Sequence, residues 1–453
     1  MSASWRGCVL GLARSVRQDE TVSPVPFRFL CLTALLAAAH APAQDHDDFE
    51  DPPISYSATK PDDVITKLNA EFAAQAEEIR GWPARRRVRW VLEKLEVPAE
   101  SQLLVFSKTS LQRTLISPEN PRALFFSDEA YVGWVPGGGI EITVFDPKLG
   151  ATFYLLDAQD SPPKPLFVRS SECLLCHKRH ERTPSLRTRS VYPDKNGEPL
   201  VGSGGSNIEP STPYRERWGG WYVTGAPGAL RHRGNVMGSK AEDFDGDQGL
   251  SSPLVPDLKE IVETRRYPLG TSDVVALLMH DHQVHVHNVI STANQQSRVA
   301  LHRWPAMRAV LGLPKDAAPA GSCLAQLNSQ AERLIDALLL RDEAPFPEGG
   351  IKGDGVFQSV YAKTRKADSK GRSLRDLDLG TRLFKYRCSP LIYSKSFGWL
   401  PKELRDLTLL RLSDGLRSPQ PPAAFAHLPA EERRAIHEIL TETLADLPSG
   451  WKR

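Results

Sequence analysis

The hydrophobic pattern of the chain changes part-way along its length, and this change restricts the folds that it can adopt. Five short apolar runs, separated by Gly, Pro and Asp turns, predict β-strands at 103–106, 123–126, 131–135, 140–145 and 151–156. From residue 255 onward, apolar residues recur at helical spacing, which predicts helices at 273–294, 326–340, 401–414 and 430–447. The sequence therefore predicts an α+β fold, a strand-rich half followed by a mainly helical C-terminal half.

These patterns divide the chain into four parts. Residues 1–43 have the features of a signal peptide, and the acidic composition of 44–61 predicts a disordered leader. Residues 62–250 are expected to form a mixed, strand-rich domain that opens with a helix over 62–95. Residues 251–453 are expected to form the helical C-terminal domain.

The N-terminal segment predicts export. Arg28 precedes an apolar run at 29–39, and the small-x-small sequence Ala41-Pro42-Ala43 that follows is of the kind that signal peptidase cleaves. The run is too short to span a bilayer comfortably, which favours a cleaved signal peptide over the alternative, a retained anchor. The long segment before it indicates a translation start near Val22 or Val25. We expect a periplasmic or otherwise exported mature chain without a transmembrane segment.

The charge balance argues against nucleic acid as a partner. The chain has 57 basic and 55 acidic residues, a formal net charge of +2. The first 43 residues carry four arginines and two acids, so the predicted mature chain is neutral. A neutral chain has no bulk attraction to nucleic acid or to an anionic membrane surface.

A single short motif carries the chemistry. Residues Cys173-Leu174-Leu175-Cys176-His177 form a complete C-x-x-C-H sequence in a polar, irregular segment. Two thiols at this spacing can reach two vinyl groups on one edge of a porphyrin, and the adjacent imidazole can then bind the iron. The motif therefore predicts one covalently bound haem c, held by Cys173, Cys176 and His177.

The other uses of a cysteine pair are less well supported. A zinc site would need a second pair of ligands at close spacing, and the two remaining cysteines of the predicted mature chain, Cys323 and Cys388, lie far apart in sequence. A short-range disulfide or a thioredoxin-like redox pair would need a strand–helix setting, which this polar segment lacks. Whether Cys323 and Cys388 form a disulfide with each other or stay free and buried is left open by the sequence.

The motif resembles that of exported c-type cytochromes, residue for residue at Cys173, Cys176 and His177. The resemblance is local, because about 130 residues of the predicted mature chain precede the motif, which lies near the start of the small all-helical cytochrome c domain. The segment 217–225, Arg-Trp-Gly-Gly-Trp-Tyr-Val-Thr-Gly, is similar to segments of large bacterial single-haem proteins of undefined activity. The resemblance implies an iron-binding electron-transfer protein with a protein redox partner.

The ligand on the other side of the iron decides what such a haem does. His232 and Met237, within the loop-like segment 231–238, are two candidates. His282 is a third, because a helix over 273–294 places His282 and His285 on its apolar face and His280 and His287 roughly opposite. His287 is a further candidate ligand, and His282 or His287 could instead act as a distal acid or base, or form a small metal site with Asp281.

Two functions follow from these predictions. A strongly held sixth ligand would make the chain an electron carrier, which is the leading interpretation. An open or labile sixth position would make it a periplasmic haem enzyme, peroxidase-like or acting on another small substrate. The alternative is favoured by size, because a simple carrier does not need a chain of this length.

Overall fold

A six-stranded antiparallel sheet occupies the N-terminal half of the chain. The structure, a computed structural model, describes residues 48–157, 165–178, 183–200, 205–244, 246–247, 249–251 and 254–451, which belong to one compact unit. The predicted signal peptide, 1–43, lies outside the described residues. The strands follow one another in space in chain order: β1 (Leu103–Val105), β2 (Arg122–Phe126), β3 (Ala130–Trp134), β4 (Ile140–Asp146), β5 (Gly150–Leu156) and β6 (Val168–Arg169).

Three short helices precede the sheet, α1 (Val64–Glu71), α2 (Ala76–Gly81) and α3 (Ala84–Lys94). The sequence predicts one helix here, but Pro83 begins a new one, because proline removes a backbone donor and suits the start of a helix. The side chain of Asp63 caps α1 by accepting a hydrogen bond from the Thr66 backbone N–H at 2.9 Å.

The segment just ahead of α1 is packed rather than disordered where the structure describes it. Phe49, Ile54 and Tyr56 are buried together with Leu149. The hydroxyl of Tyr56 donates a hydrogen bond to the carbonyl oxygen of Ala151 at 2.8 Å. The apolar residues between the acids of the predicted leader therefore extend the core.

Helices dominate the C-terminal half, so the predicted α+β class is confirmed. The longest helix, α5, has 37 residues and extends well beyond the predicted 273–294. The helices from the motif onward are α4 (Leu174–His177), α5 (Val274–Val310), α6 (Gly321–Leu338), α7 (Val356–Tyr361), α8 (Lys395–Gly398), α9 (Lys402–Arg417) and α10 (Ala430–Thr443). Within the described residues, no helix combines the length and the apolar character that a membrane span needs.

Both faces of the sheet are covered. Alternate residues of each strand, such as Val132 and Ile142, pack against α1, α2 and α3. Their neighbours, such as Tyr131 and Phe153, face the first turns of α5. The far side of α5 packs against α6 and α8, so α5 lies between the sheet and the helical half and is buried around most of its circumference.

Candidate haem-attachment site

The C-x-x-C-H motif forms one short turn at the edge of the sheet. Cys173 precedes α4, and Cys176 and His177 end it. Cys176 is exposed, Cys173 is partly buried, and the side chain of Leu175 between them is 81% exposed. All three motif residues line one cavity, so the two thiols and the imidazole face a common space.

The environment of His177 fixes the tautomer of its ring. Its Nδ1 lies 2.8 Å from the backbone carbonyl oxygen of Ser185, which only accepts hydrogen bonds, so Nδ1 carries the proton. The ring packs against Phe153, with 4.8 Å between the centroids. Burial lowers the pKa of His177, which keeps the ring neutral. Nε2 is therefore left with a free lone pair, as an iron ligand requires.

The floor of the cavity is the face of the sheet that α5 covers. Three side chains form a row across it, because Tyr131 pairs with Thr143, and Thr143 with Phe153. Gly133 and Glu141 form part of the next row. A Cβ at Gly133 would lie 2.4 Å from Nη2 of Arg122, so this glycine leaves room for a side chain to cross the floor.

Positive charge predominates around this cavity. Arg122, Arg187 and Arg189 line it together with a single glutamate, Glu141, which forms an ion pair with Arg122. Arg187 also donates a hydrogen bond to the backbone oxygen of Cys176 at 3.0 Å. With its histidines neutral, the lining has a formal charge of +2, opposite in sign to the two propionate groups of a haem.

The residues present fit a covalently attached haem. They supply two thiols, a neutral imidazole with a free nitrogen, a flat floor and arginines for carboxylates. The cavity holds about 160 Å³, less than the roughly 300–1,000 Å³ of typical small-molecule sites. A macrocycle would therefore also take the space of the Arg122 side chain or project into solvent beside Leu175.

The structure places the predicted sixth ligands, His287 included, away from this cavity. His232 is buried against Trp218, and its Nδ1 accepts a hydrogen bond from the Gly234 backbone N–H. Met237 is partly buried beside another cavity, with Lys195 and Lys240. His282 points into the helical half, where its Nε2 lies 2.8 Å from Oγ of Ser389. None of these residues lines the cavity of His177.

The histidine that α5 does bring to this cavity is His280. The sequence predicts it on the outer side of the helix, away from the core. That prediction assumes a helix with one buried face, whereas the sheet and the helical half bury α5 from two sides. The dense run of histidines was the signal in the sequence, but it did not identify which histidine faces the motif.

The other polar groups of this run have partners elsewhere. Asp281 accepts hydrogen bonds from Arg217 and from the indole N–H of Trp218, at 3.3 and 2.9 Å. His285 lies 3.4 Å from Glu209, and His287 bonds to Tyr131. Among the described residues, no three or more His, Cys, Asp or Glu side chains are arranged to hold a metal ion.

The two cysteines of the helical half do not meet. Cys323 on α6 lies 3.6 Å from the backbone oxygen of Ala300, and Cys388 lies in the core around α9. Both are free thiols and both are buried. Burial raises the pKa of Cys388 to about 12, so it is an unreactive thiol.

Comparisons with models of protein families, with curated proteins and with solved structures give no match to this chain.

Proposed function

We propose that this chain is an exported mono-haem c-type cytochrome that carries electrons. The haem would be joined to Cys173 and Cys176, with His177 binding its iron. The observation that carries the proposal is the hydrogen bond from His177 Nδ1 to the Ser185 carbonyl oxygen, which leaves Nε2 free in a cavity that both motif cysteines also line. A histidine held in this way matches the usual form of an iron-ligating imidazole, whose second nitrogen donates to a fixed acceptor.

The covalent attachment needs no oxidant. Cys173 and Cys176 would hold the haem through two thioether bonds, with each thiol proton retained on the vinyl group that its sulfur joins. The position of the turn suits this attachment, because Cys176 is exposed and Cys173 is only partly buried. Both thiols remain accessible beside a cavity whose floor the sheet already provides.

The exposure of the same turn supports electron transfer. When bound, haem supplies a one-electron couple of its iron. Leu175 is 81% exposed, so the attached edge of the ring would lie at the protein surface, within reach of a partner protein. Arg187 lies beside this edge, where it donates a hydrogen bond to the backbone oxygen of Cys176.

The decisive experiment compares cysteine variants made with c-type maturation machinery. The protein is extracted with acid acetone, and the haem that stays with the polypeptide is measured as a pyridine haemochrome. We expect one haem per chain to be retained, and none in the double variant Cys173→Ala/Cys176→Ala. Cys323→Ala, which removes a buried thiol elsewhere, is the matched control and should retain the haem. Complete extraction from the native chain would overturn the proposal.

A second measurement separates the carrier from an enzyme. The carrier function predicts a reversible one-electron potentiometric titration and a low-spin, six-coordinate spectrum in both oxidation states. A high-spin spectrum with peroxidase turnover would contradict electron transfer while leaving haem attachment intact.

A further inference from the structure

The side chains of His280 and His177 pack on the same row of paired residues in the sheet, Tyr131, Thr143 and Phe153. The ring of His177 packs against Phe153 of β5, and the ring of His280 packs against Tyr131 of β3, with 5.9 Å between centroids. Phe153 and Tyr131 both pair with Thr143 on β4. One strand, β4, therefore lies between β3 and β5, and two inter-strand spacings place β3 about 10 Å from β5. The two imidazoles line the cavity from opposite sides of β4.

Three aromatic rings hold His280 in place. The centroids of Phe126 and Trp221 lie 5.4 and 5.8 Å from that of His280, and Tyr131 completes the set. The residue is 5% exposed. A side chain packed in this way has little rotameric freedom, so its position is set by the fold before any ligand binds.

The imidazole of His280 has unused hydrogen-bonding capacity. Its Nδ1 is buried and has no hydrogen-bond partner in the part of the chain that the structure describes. A buried polar atom without a partner destabilises the fold, so such an atom calls for an explanation. Burial also lowers the pKa of His280 to about 3, which keeps the ring neutral and its lone pair available at neutral pH.

The neighbouring buried histidines of α5 differ in this respect. His287 contacts the Tyr131 hydroxyl through Nδ1 and the Asp128 carbonyl oxygen through Nε2. His282 contacts Ser389 and Glu343 through its two nitrogens. These partners give His282 and His287 structural roles, whereas His280 faces a cavity that also contains an iron-binding motif.

We propose that His280 would be the second protein ligand of the haem iron, together with His177. This proposal rests on the proposed function, since it requires a haem at Cys173 and Cys176. Two histidine ligands give a lower reduction potential than a histidine and a methionine. They also close the sixth position to small molecules, which makes the chain a carrier rather than a catalyst.

The test measures covalent haem and coordination separately. Haem retained after acid acetone extraction reports on the attachment, and the absorption and electron paramagnetic resonance spectra report on the sixth ligand. We expect the native protein to be low-spin with two histidine ligands. His280→Ala should retain covalent haem but become high-spin, and added imidazole should restore the low-spin spectrum.

Two further variants control for misfolding. His282→Ala removes a buried histidine of the same helix and should leave the low-spin spectrum unchanged. His280→Met should stay low-spin, with a higher potential than the native protein and the charge-transfer absorption of a methionine ligand. A native high-spin spectrum, or a low-spin spectrum that persists in His280→Ala, would overturn the assignment of His280. Absence of covalent haem from the native protein would instead overturn the proposed function.

Discussion

The hydroxyl of Tyr131 donates a hydrogen bond to Nδ1 of His287 at 2.7 Å. The direction of this bond follows from the other side of the ring, where Nε2 lies 3.0 Å from the carbonyl oxygen of Asp128 and must donate to it. The pair joins β3 to α5 beside the candidate haem cavity, which Tyr131 also lines. The bond therefore links the floor of the cavity to the helix that forms its wall.

Removing the Tyr131 hydroxyl should destabilise the fold. In Tyr131→Phe, the Nδ1 atom of His287 remains buried without a donor, which costs about 1–3 kcal/mol. Urea denaturation of the chain should show this loss. The double variant Tyr131→Phe/His287→Leu removes both partners of the Tyr131–His287 bond, and His287→Leu alone shows the cost of the lost donor to the Asp128 carbonyl oxygen, so the two effects should be less than additive. Strict additivity would show that the bond does not stabilise the protein.

A side chain at Gly133 should impair haem attachment. Its Cβ would meet the Arg122 guanidinium on the cavity floor, and a larger group would fill the space above β3. Valine suits a strand, so Gly133→Val should fold while retaining several-fold less covalent haem. The control is Gly81→Ala, where no atom lies within 4 Å of the added Cβ. Native haem content in Gly133→Val would show that the haem does not use this part of the floor.

Removing the single glutamate of the cavity lining should raise the reduction potential. Glu141 pairs with Arg122 on the floor, and its negative charge favours the more positive, oxidised state of a nearby iron. Glu141→Gln should raise the potential by a few tens of millivolts, on the order of 1 kcal/mol for one electron. Potentiometric titration measures this change. Glu198→Gln, on the more exposed Glu198 that pairs with Lys108, is the control and should have little effect.

His232 should make the fold sensitive to acid. Burial, and secondarily the charge of Arg231, lowers its pKa to about 4, whereas an unfolded histidine titrates near 6.5. Between these values the unfolded chain binds the additional proton, so this contribution to stability is complete above pH 6.5 and is lost as the pH falls toward 4. The loss amounts to at most about 3 kcal/mol.

The pH dependence of a His232 variant isolates this contribution. The free energy of unfolding is measured by urea denaturation at pH 7 and pH 4.5, in the native chain and in His232→Asn. The amide oxygen of asparagine can accept the hydrogen bond from the Gly234 backbone N–H without titrating. His232→Asn should therefore lose less stability on acidification than the native chain. Equal losses would contradict a buried, neutral His232.

The strands were predictable because the signal for each one lies in its own residues and in the turn residues beside it. Residues 131–135 and 140–145 read as strands from their composition and from the glycines between them, and they pair in the structure as β3 and β4. The division of the predicted helix over 62–95 into shorter helices was harder to predict, because the apolar spacing continues across the break before Pro83.

The face of α5 that meets the motif was not predictable by periodicity. The helix is buried around most of its circumference, since both the sheet and the helical half pack on it, so its apolar residues do not mark a single inward side. His280 and His282 differ only in which of these two layers they face. That distinction depends on long-range packing, whereas Cys173, Cys176 and His177 are recognised from their spacing alone.

The order of the site along the chain has a consequence for its assembly. The strands that form the cavity floor, β2 to β5, all precede Cys173, whereas His280 follows His177 by about a hundred residues. When a chain emerges with its N-terminal end first, the strands of the floor and the motif are available before the segment that becomes α5. The α5 wall of the cavity therefore becomes available last, and that side of the floor stays uncovered until the segment that forms α5 has emerged.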